Sequence, residues 1–222
     1  MAGLNGKRDS LIKVIEILRP GIIMLQENKL YKEGKIKLEG FVIFEKHRKY
    51  KGGGGLLTAI HENFKPILVQ DDDENADMMV VDVKLDSKIS ARTINCYGPQ
   101  EFSRKKKSAE GEAENTDPQP DKKIFFQKLQ TEIQNAKSAG HLLCIQMDAN
   151  SKFGREIIPN DPSLKMSENG KILYDIIKTE DLILVNASNK CLGTITRFRK
   201  TTRRLTLLFW ISSYCAETSL KC

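Results

Sequence analysis

Histidine and tryptophan are scarce, with three His and one Trp in 222 residues. So few imidazoles leave no histidine cluster for a zinc site. His47, His61 and His141 fall in loops or at strand entries without a partner acid at metal spacing, so they read as surface or hydrogen-bonded histidines. The five cysteines, Cys96, Cys144, Cys191, Cys215 and Cys222, form no CxxC pair, which removes zinc-finger spacing. Their odd number leaves at least one unpaired, and those inside apolar runs read as small core hydrophobes in a reducing compartment. The run Gly52–Gly55 is not followed by G-K-[ST] and has no GxGxxG form, so it carries no nucleotide loop. The opening MAGLNGKRDSLIK holds no apolar leader core. The longest strongly apolar stretch, Leu205–Ile211, is broken by Thr206 and is too short to span a bilayer. These absences predict an intracellular chain, in nucleus or cytoplasm, with no membrane partner. No internal repeat is visible.

Enough apolar material is present for a sizeable core: 40% hydrophobic residues with 15 Gly in addition. The length suits one α/β sandwich domain over residues 1–222. Lys and Arg exceed Asp and Glu, 36 against 29, which tolerates a polyanionic partner without proving one. Residues 101–123 contain no aliphatic side chain beyond Ala, and a disordered loop is expected over 103–121.

Hydrophobic periodicity then orders the elements. RDSLIKVIEIL (8–18) keeps one wet face and ends at Pro20, so a helix is predicted. Strands are predicted at GIIMLQ (21–26), FVIFEKH (41–47), LLTAI (56–60), MMVVDVKL (78–85), ARTINCYGP (91–99) and HLLCIQM (141–147). Two helices are expected at 124–140 and 169–181, a strand at LILVNA (182–187), and a closing hairpin-like pair from GTITRFR and LTLLFWI. The link 85–91 is too short for a parallel crossover, so the flanking strands must be antiparallel. A mixed-sheet, layered α/β protein follows, rather than a doubly wound one.

Two strand ends deliver oxygen ligands: Glu27 after IIMLQ, and Asp148 with Asn150 after CIQM. Such hard donors suit Mg²⁺ or Mn²⁺ rather than zinc, although many strands surface on an acid with no metal in view. Tyr97 reads either as a core-edge aromatic with a satisfied hydroxyl or as a phosphate contact. Lys190 to Arg204 carries six cations, Lys190, Arg197, Arg199, Lys200, Arg203 and Arg204, beside Phe198. That stretch is a solvated hairpin or a nucleic-acid backbone contact.

The order of four segments resembles the endonuclease/exonuclease/phosphatase family, especially the apurinic-type endonuclease domains of non-LTR retroelements. They are PGIIMLQENKL (20–30), NCYGPQ (95–100), MDANSKFG (147–154), and NGKIL with LILVNA and GTITR (169–197). The resemblance implies a four-layer α/β sandwich with two mixed, largely antiparallel sheets, and a Mg²⁺-dependent DNA endonuclease. It implies that Glu27 binds the metal, Tyr97 touches the scissile phosphate, Asp148 acts on water or the leaving oxygen, and Asn150 orients the phosphate. Thr194 would contact phosphate, and Arg197, Arg199, Lys200, Arg203 and Arg204 would hold nucleic acid.

Departures from the family pattern point to impairment. The family's opening strand, ending in an asparagine, has no counterpart before Gly3-Leu4. Gly21 and Met147 replace a usual Asp and Gly, Phe209 stands where the penultimate motif carries an acid, and no Ser-Asp-His closes the chain. The expectation is a domain truncated at both ends, crippled as an enzyme and prone to aggregate. Two alternatives are an inactive remnant that still binds nucleic acid and, more weakly, a phosphatase of the same fold.

Overall fold

The structure, a computed structural model, describes residues 8–28, 36–47, 55–69, 77–100, 122–158, 163, 165–187 and 209–212. In chain order the elements are α1 (Arg8–Leu18), β1 (Ile22–Gln26), β2 (Phe41–Lys46), β3 (Leu56–His61), β4 (Ile67–Leu68), β5 (Met78–Lys84) and β6 (Ser90–Tyr97). There follow α2 (Lys122–Ser138), β7 (Leu142–Asp148), α3 (Glu168–Thr179), β8 (Ile183–Leu184) and β9 (Phe209–Ser212).

They make two sheets, a three-stranded one in the order β1-β3-β2 and a six-stranded one in the order β4-β5-β6-β7-β9-β8. Pairing is antiparallel throughout except between β6 and β7. The five-residue link between β5 and β6 forces their antiparallel ladder, as its length predicts. The parallel pair is joined instead through α2, the crossover such strands need.

Alternation along each strand sorts the side chains into layers. On β5, β6 and β7, Met78, Val80, Ile94, Cys96, Leu143, Ile145 and Met147 pack on the helices, against Phe125, Leu129, Ile133, Leu173 and Ile176. The opposite face, with Met79, Val81, Val83, Ala91 and Tyr97, packs on Leu56 and Ile60 of the small sheet. Beyond that sheet, Ile23, Leu57 and Ala59 meet Leu11, Ile12 and Ile15 of α1, together with Ile36 and Leu38. Helix, sheet, sheet, helix: the four-layer sandwich with two largely antiparallel sheets is what the chain forms, the six-stranded sheet being the mixed one.

One charged group interrupts the helix-facing side. Arg92 is buried under α2 and holds both oxygens of Asp82, at 2.8 and 3.0 Å, and Glu132 at 3.2 Å. The Asp82 hydrogen bond raises the guanidinium's pKa against the opposing effect of burial. Cys96 is a buried free thiol, pushed far up by burial, in keeping with a core role.

Two expectations need correction. LILVNA is a strand only at Ile183–Leu184, after which Val185–Ala187 turns into a 3₁₀ helix. Among the described residues β8 is an edge strand whose ladder with β9 is two residues long. Ile67–Leu68 adds a short edge strand on β5 that the periodicity did not reveal. Of the strand expected at LTLLFWI, residues 209–211 do lie in β9, which pairs with β7 and β8, and 205–208 lie outside the described residues. The predicted loop 103–121 and GTITRFR, the expected hairpin partner of LTLLFWI, lie outside the described residues. Among the described residues, no helix is long and apolar enough to cross a membrane.

Candidate active site

The strand ends converge at one rim of the sandwich. Because β6 and β7 run parallel, their carboxyl ends are neighbours, and Tyr97 sits in register with Asp148. The Gly98 amide donates to the Asp148 carbonyl at 2.7 Å, extending the ladder one step past the strands. Glycine is required there: a Cβ on Gly98 would lie 2.7 Å from the carbonyl oxygen of Ala149 and 2.9 Å from its carbon. Asn150 turns back with φ +44°, its amide donating to Asp148 Oδ1 at 3.2 Å and its Nδ2 to the Gly98 carbonyl at 2.8 Å. Asn is among the few residues that accept this left-handed backbone at low cost.

Glu27 arrives from the other sheet. Simple alternation would send it outward with Ile23 and Leu25, but its φ of +52° ends β1 and breaks the alternation. The Tyr97 hydroxyl donates to Glu27 Oε1 at 2.6 Å, closing the gap between the sheets. Gln100 Nε2 lies 3.3 Å from the same hydroxyl as donor. Burial first, and the Glu27 carboxylate second, push the Tyr97 pKa up, so the phenol stays neutral. A glutamate at positive φ is strained backbone, costing on the order of 1–2 kcal/mol, and such strain concentrates where geometry serves a function.

Two supports were not foreseen from the sequence. Asn169, fully buried in the first turn of α3, donates from Nδ2 to the Pro99 carbonyl at 2.7 Å. It is placed by Ser167, the helix cap, whose Oγ accepts from the Gly170 and Lys152 amides at 3.2 and 3.0 Å. The pairing of Ser167 with the start of an apolar-periodic run was the available signal for the cap, but nothing local reveals that Asn169 points at Pro99. Gln100 lies next to the predicted motif and could have been included with it.

Of the expected site residues, Glu27, Tyr97, Asp148 and Asn150 come together. Thr194, Arg197, Arg199, Lys200, Arg203 and Arg204 lie outside the described residues. The β9 backbone at Phe209 pairs with Met147, immediately beside Asp148, so Phe209 is at the site rim. Each histidine has a local partner: His47 Nε2 is 3.3 Å from Glu45, His141 Nδ1 is 3.6 Å from Asp82, and His61 Nδ1 accepts from the Asn63 amide.

Among the described residues no group of three or more His, Cys, Asp or Glu side chains could hold a metal ion. The donors at the rim are nevertheless hard oxygens, two carboxylates and a carboxamide. Mg²⁺ is commonly held by one or two carboxylates, with water and substrate phosphate completing its shell, so the donor set fits that ion and not zinc.

No protein-family model matches the sequence, and no curated protein matches it. Solved structures do. The catalytic domain of Xenopus laevis APE2 is similar with a TM-score of 0.66 at 15% identity, covering 95% of this chain and 79% of that one. The 3′–5′ exonuclease NExo of Neisseria meningitidis gives 0.63 at 16% identity, covering 95% and 83%. The endonuclease domain of TRAS1, a telomere-specific non-LTR retrotransposon, gives 0.54 at 13% identity, covering 92% and 78%. At such identities the likeness is one of architecture. With its two packed sheets and converging strand ends, the chain has the fold that these solved structures share.

Proposed function

We propose that this chain is a metal-dependent phosphodiesterase of the retroelement endonuclease type, acting on DNA with low turnover. The observation that carries the reading is the 2.6 Å hydrogen bond from Tyr97 to Glu27, formed beside Asp148 and Asn150. It brings a carboxylate from one sheet onto the motif residues of the other at a single rim.

Glu27 and Asp148 would hold Mg²⁺, or Mn²⁺, which when bound polarises the phosphoryl oxygens. The chain's own residues supply the rest. Tyr97, kept neutral, would turn its one O–H from Glu27 to a phosphoryl oxygen when substrate binds, and Asn150 would orient the group from the neighbouring strand end. Asp148 accepts a proton from the attacking water as its oxygen bonds to phosphorus and one ester oxygen leaves. The cations Arg197, Arg199, Lys200, Arg203 and Arg204 would carry the phosphate backbone, making affinity fall with salt. A location inside the cell, in nucleus or cytoplasm, belongs to the same proposal.

Low turnover follows from Phe209. It stands at the position where the motif resemblance expects an acid, and general acid–base assistance contributes about 10²–10⁴-fold. The same residue favours the second reading, a remnant that binds nucleic acid without cutting it.

Nicking of supercoiled plasmid by a monomeric fraction separates the two. Slow nicking that needs Mg²⁺, stops with EDTA and is lost in Glu27→Gln is the expected result. Salt-sensitive DNA affinity without nicking would leave only the remnant reading. Hydrolysis of a phosphomonoester in place of DNA would move the chain to the phosphatases of this fold.

A further inference from the structure

Beneath the rim, polar side chains join the apolar ones where the sheets meet. Gln26 Nε2 donates to Asn95 Oδ1 at 2.6 Å. Asn95 Nδ2 in turn lies 3.0 Å from the Leu57 carbonyl, 3.1 Å from Thr58 Oγ1 and 3.3 Å from the Leu25 carbonyl. Gln146 Nε2 donates to the Met24 carbonyl at 3.0 Å. Every one of these bonds runs between the six-stranded and the three-stranded sheet. Asn95 is 0% exposed, so its carboxamide is wholly desolvated and worth keeping only if paired.

The placement matters as much as the bonds. Asn95 is two residues before Tyr97, Gln146 is two before Asp148, and Gln26 is the residue before Glu27. With a strand period of two, Asn95 and Gln146 sit one step below the site residues on the same face. Apolar contacts between sheets are non-directional and tolerate sliding. A buried carboxamide has its donors and acceptor in fixed directions and accepts one register, as a single buried Asn does in helical assemblies.

We infer that Asn95 is a positioning residue, whose carboxamide fixes where the Glu27 end of β1 stands relative to the Tyr97 and Asp148 ends of β6 and β7. Its functional meaning rests on the nuclease reading above; its geometric meaning does not. Asn95 touches no reacting atom and acts through the placement of Glu27 against Tyr97.

The test replaces both partners at once, Asn95→Leu with Gln26→Met, so that no carboxamide is left facing a lost one. Two readouts are taken. The first is the hydroxyl-bearing ring carbon of Tyr97, observed by nuclear magnetic resonance at neutral pH in tyrosine-labelled protein and assigned by its loss in Tyr97→Phe. The second is plasmid nicking, resolved into kcat and KM. The double variant is expected to melt cooperatively, with the Tyr97 resonance moved toward that of a water-exposed tyrosine. Its kcat should fall on the order of 10- to 100-fold, as a small misplacement of a catalytic group would give, with KM little changed.

A folded double variant with an unmoved Tyr97 resonance overturns the inference, whatever happens to nicking. If wild type never nicks, the nuclease reading fails while the resonance still decides the placement. If the double variant does not fold, Asn95→Ser decides by the same resonance, since it removes the carboxamide itself and leaves a small hydroxyl in its place. A smaller shift in the same direction supports the inference, and no shift overturns it.

Discussion

Helix α2 buries Phe125, Phe126, Leu129, Ile133 and Ala136 against the six-stranded sheet. Helix α1 buries no residue fully on the three-stranded sheet, and leaves Val14, Ile17 and Leu18 47%, 78% and 70% exposed. Sheet width accounts for much of the contrast. Strands spaced about 4.8 Å apart make a three-stranded face roughly 10 Å wide, room for one helix, whereas six strands seat two side by side. There α2 and α3 also hold each other: Gln130 and Gln134 Nε2 donate to Glu180 Oε1 at 3.0 and 2.9 Å, and Lys137 Nζ reaches Oε2 at 3.2 Å. The candidate site straddles the two halves, taking Glu27 from the thin one and Tyr97, Asp148 and Asn150 from the thick one. Its integrity is therefore set by the weaker half.

The contrast can be broken at its strong end first. Leu129→Ala should cost about 2–5 kcal/mol, the range for a fully buried leucine, while Ile15→Ala in half-buried α1 should cost under about 1–2 kcal/mol. Paired thermal melts measure the difference, and equal losses would show the halves to be equally packed. Native-state hydrogen exchange should agree, with β1 and β3 amides opening before those of β6 and β7.

A change within the thick half has a smaller effect on stability and a sharper one on the site. Gly98→Ala presses a methyl onto the Ala149 carbonyl, and backbone cannot swing away as a long side chain does. Overpacking of this sort costs about 1–3 kcal/mol, and it should part Tyr97 from Asp148. Denaturant melts and the nicking assay read the two effects separately; unchanged nicking would mean that the Tyr97–Asp148 register is not needed.

The smallest effect is on acid. Burial raises the Glu180 pKa, but the hydrogen bonds from Gln130, Gln134 and Lys137 outweigh it, and the net direction is down from 4.5. A carboxylate depressed on folding contributes stability that is complete above its ordinary value and lost as pH falls through the folded one. Glu180→Gln should thus lower the melting temperature at neutral pH, and the gap to wild type should narrow as pH falls below 4.5. A gap constant with pH would remove Glu180 from the helix–helix link.

Much of this was legible in the sequence. The run RDSLIKVIEIL gave α1 to the residue, and the short link after Lys84 gave the sense of β5 and β6. Glu27, Tyr97, Asp148 and Asn150 were legible because each sits at or just past a strand end, where a polar residue interrupts an apolar run. Asn95 and Gln146 were not, because a polar residue inside a strand looks like ordinary alternation toward solvent. Only the second sheet, folded over them, turns that face inward. Asn169 hid for a related reason: within a helix's first turn an Asn reads as local capping, and its partner Pro99 is 70 residues away.

The Tyr97–Glu27 bond joins residues 70 apart, and Gln146 meets Met24 across 122. Contacts so distant along the chain close the largest loops, and the entropy of closure comes before any reward for making them. Hairpins such as β5–β6 and the helices can form early from neighbouring residues. The rim exists only when the chain from Met24 to Asn150, more than half of its length, has found its place. On the time axis of folding, the site is then a finishing event: a nascent or half-folded chain carries the metal-type carboxylates apart, and brings them to the phenol only at the end.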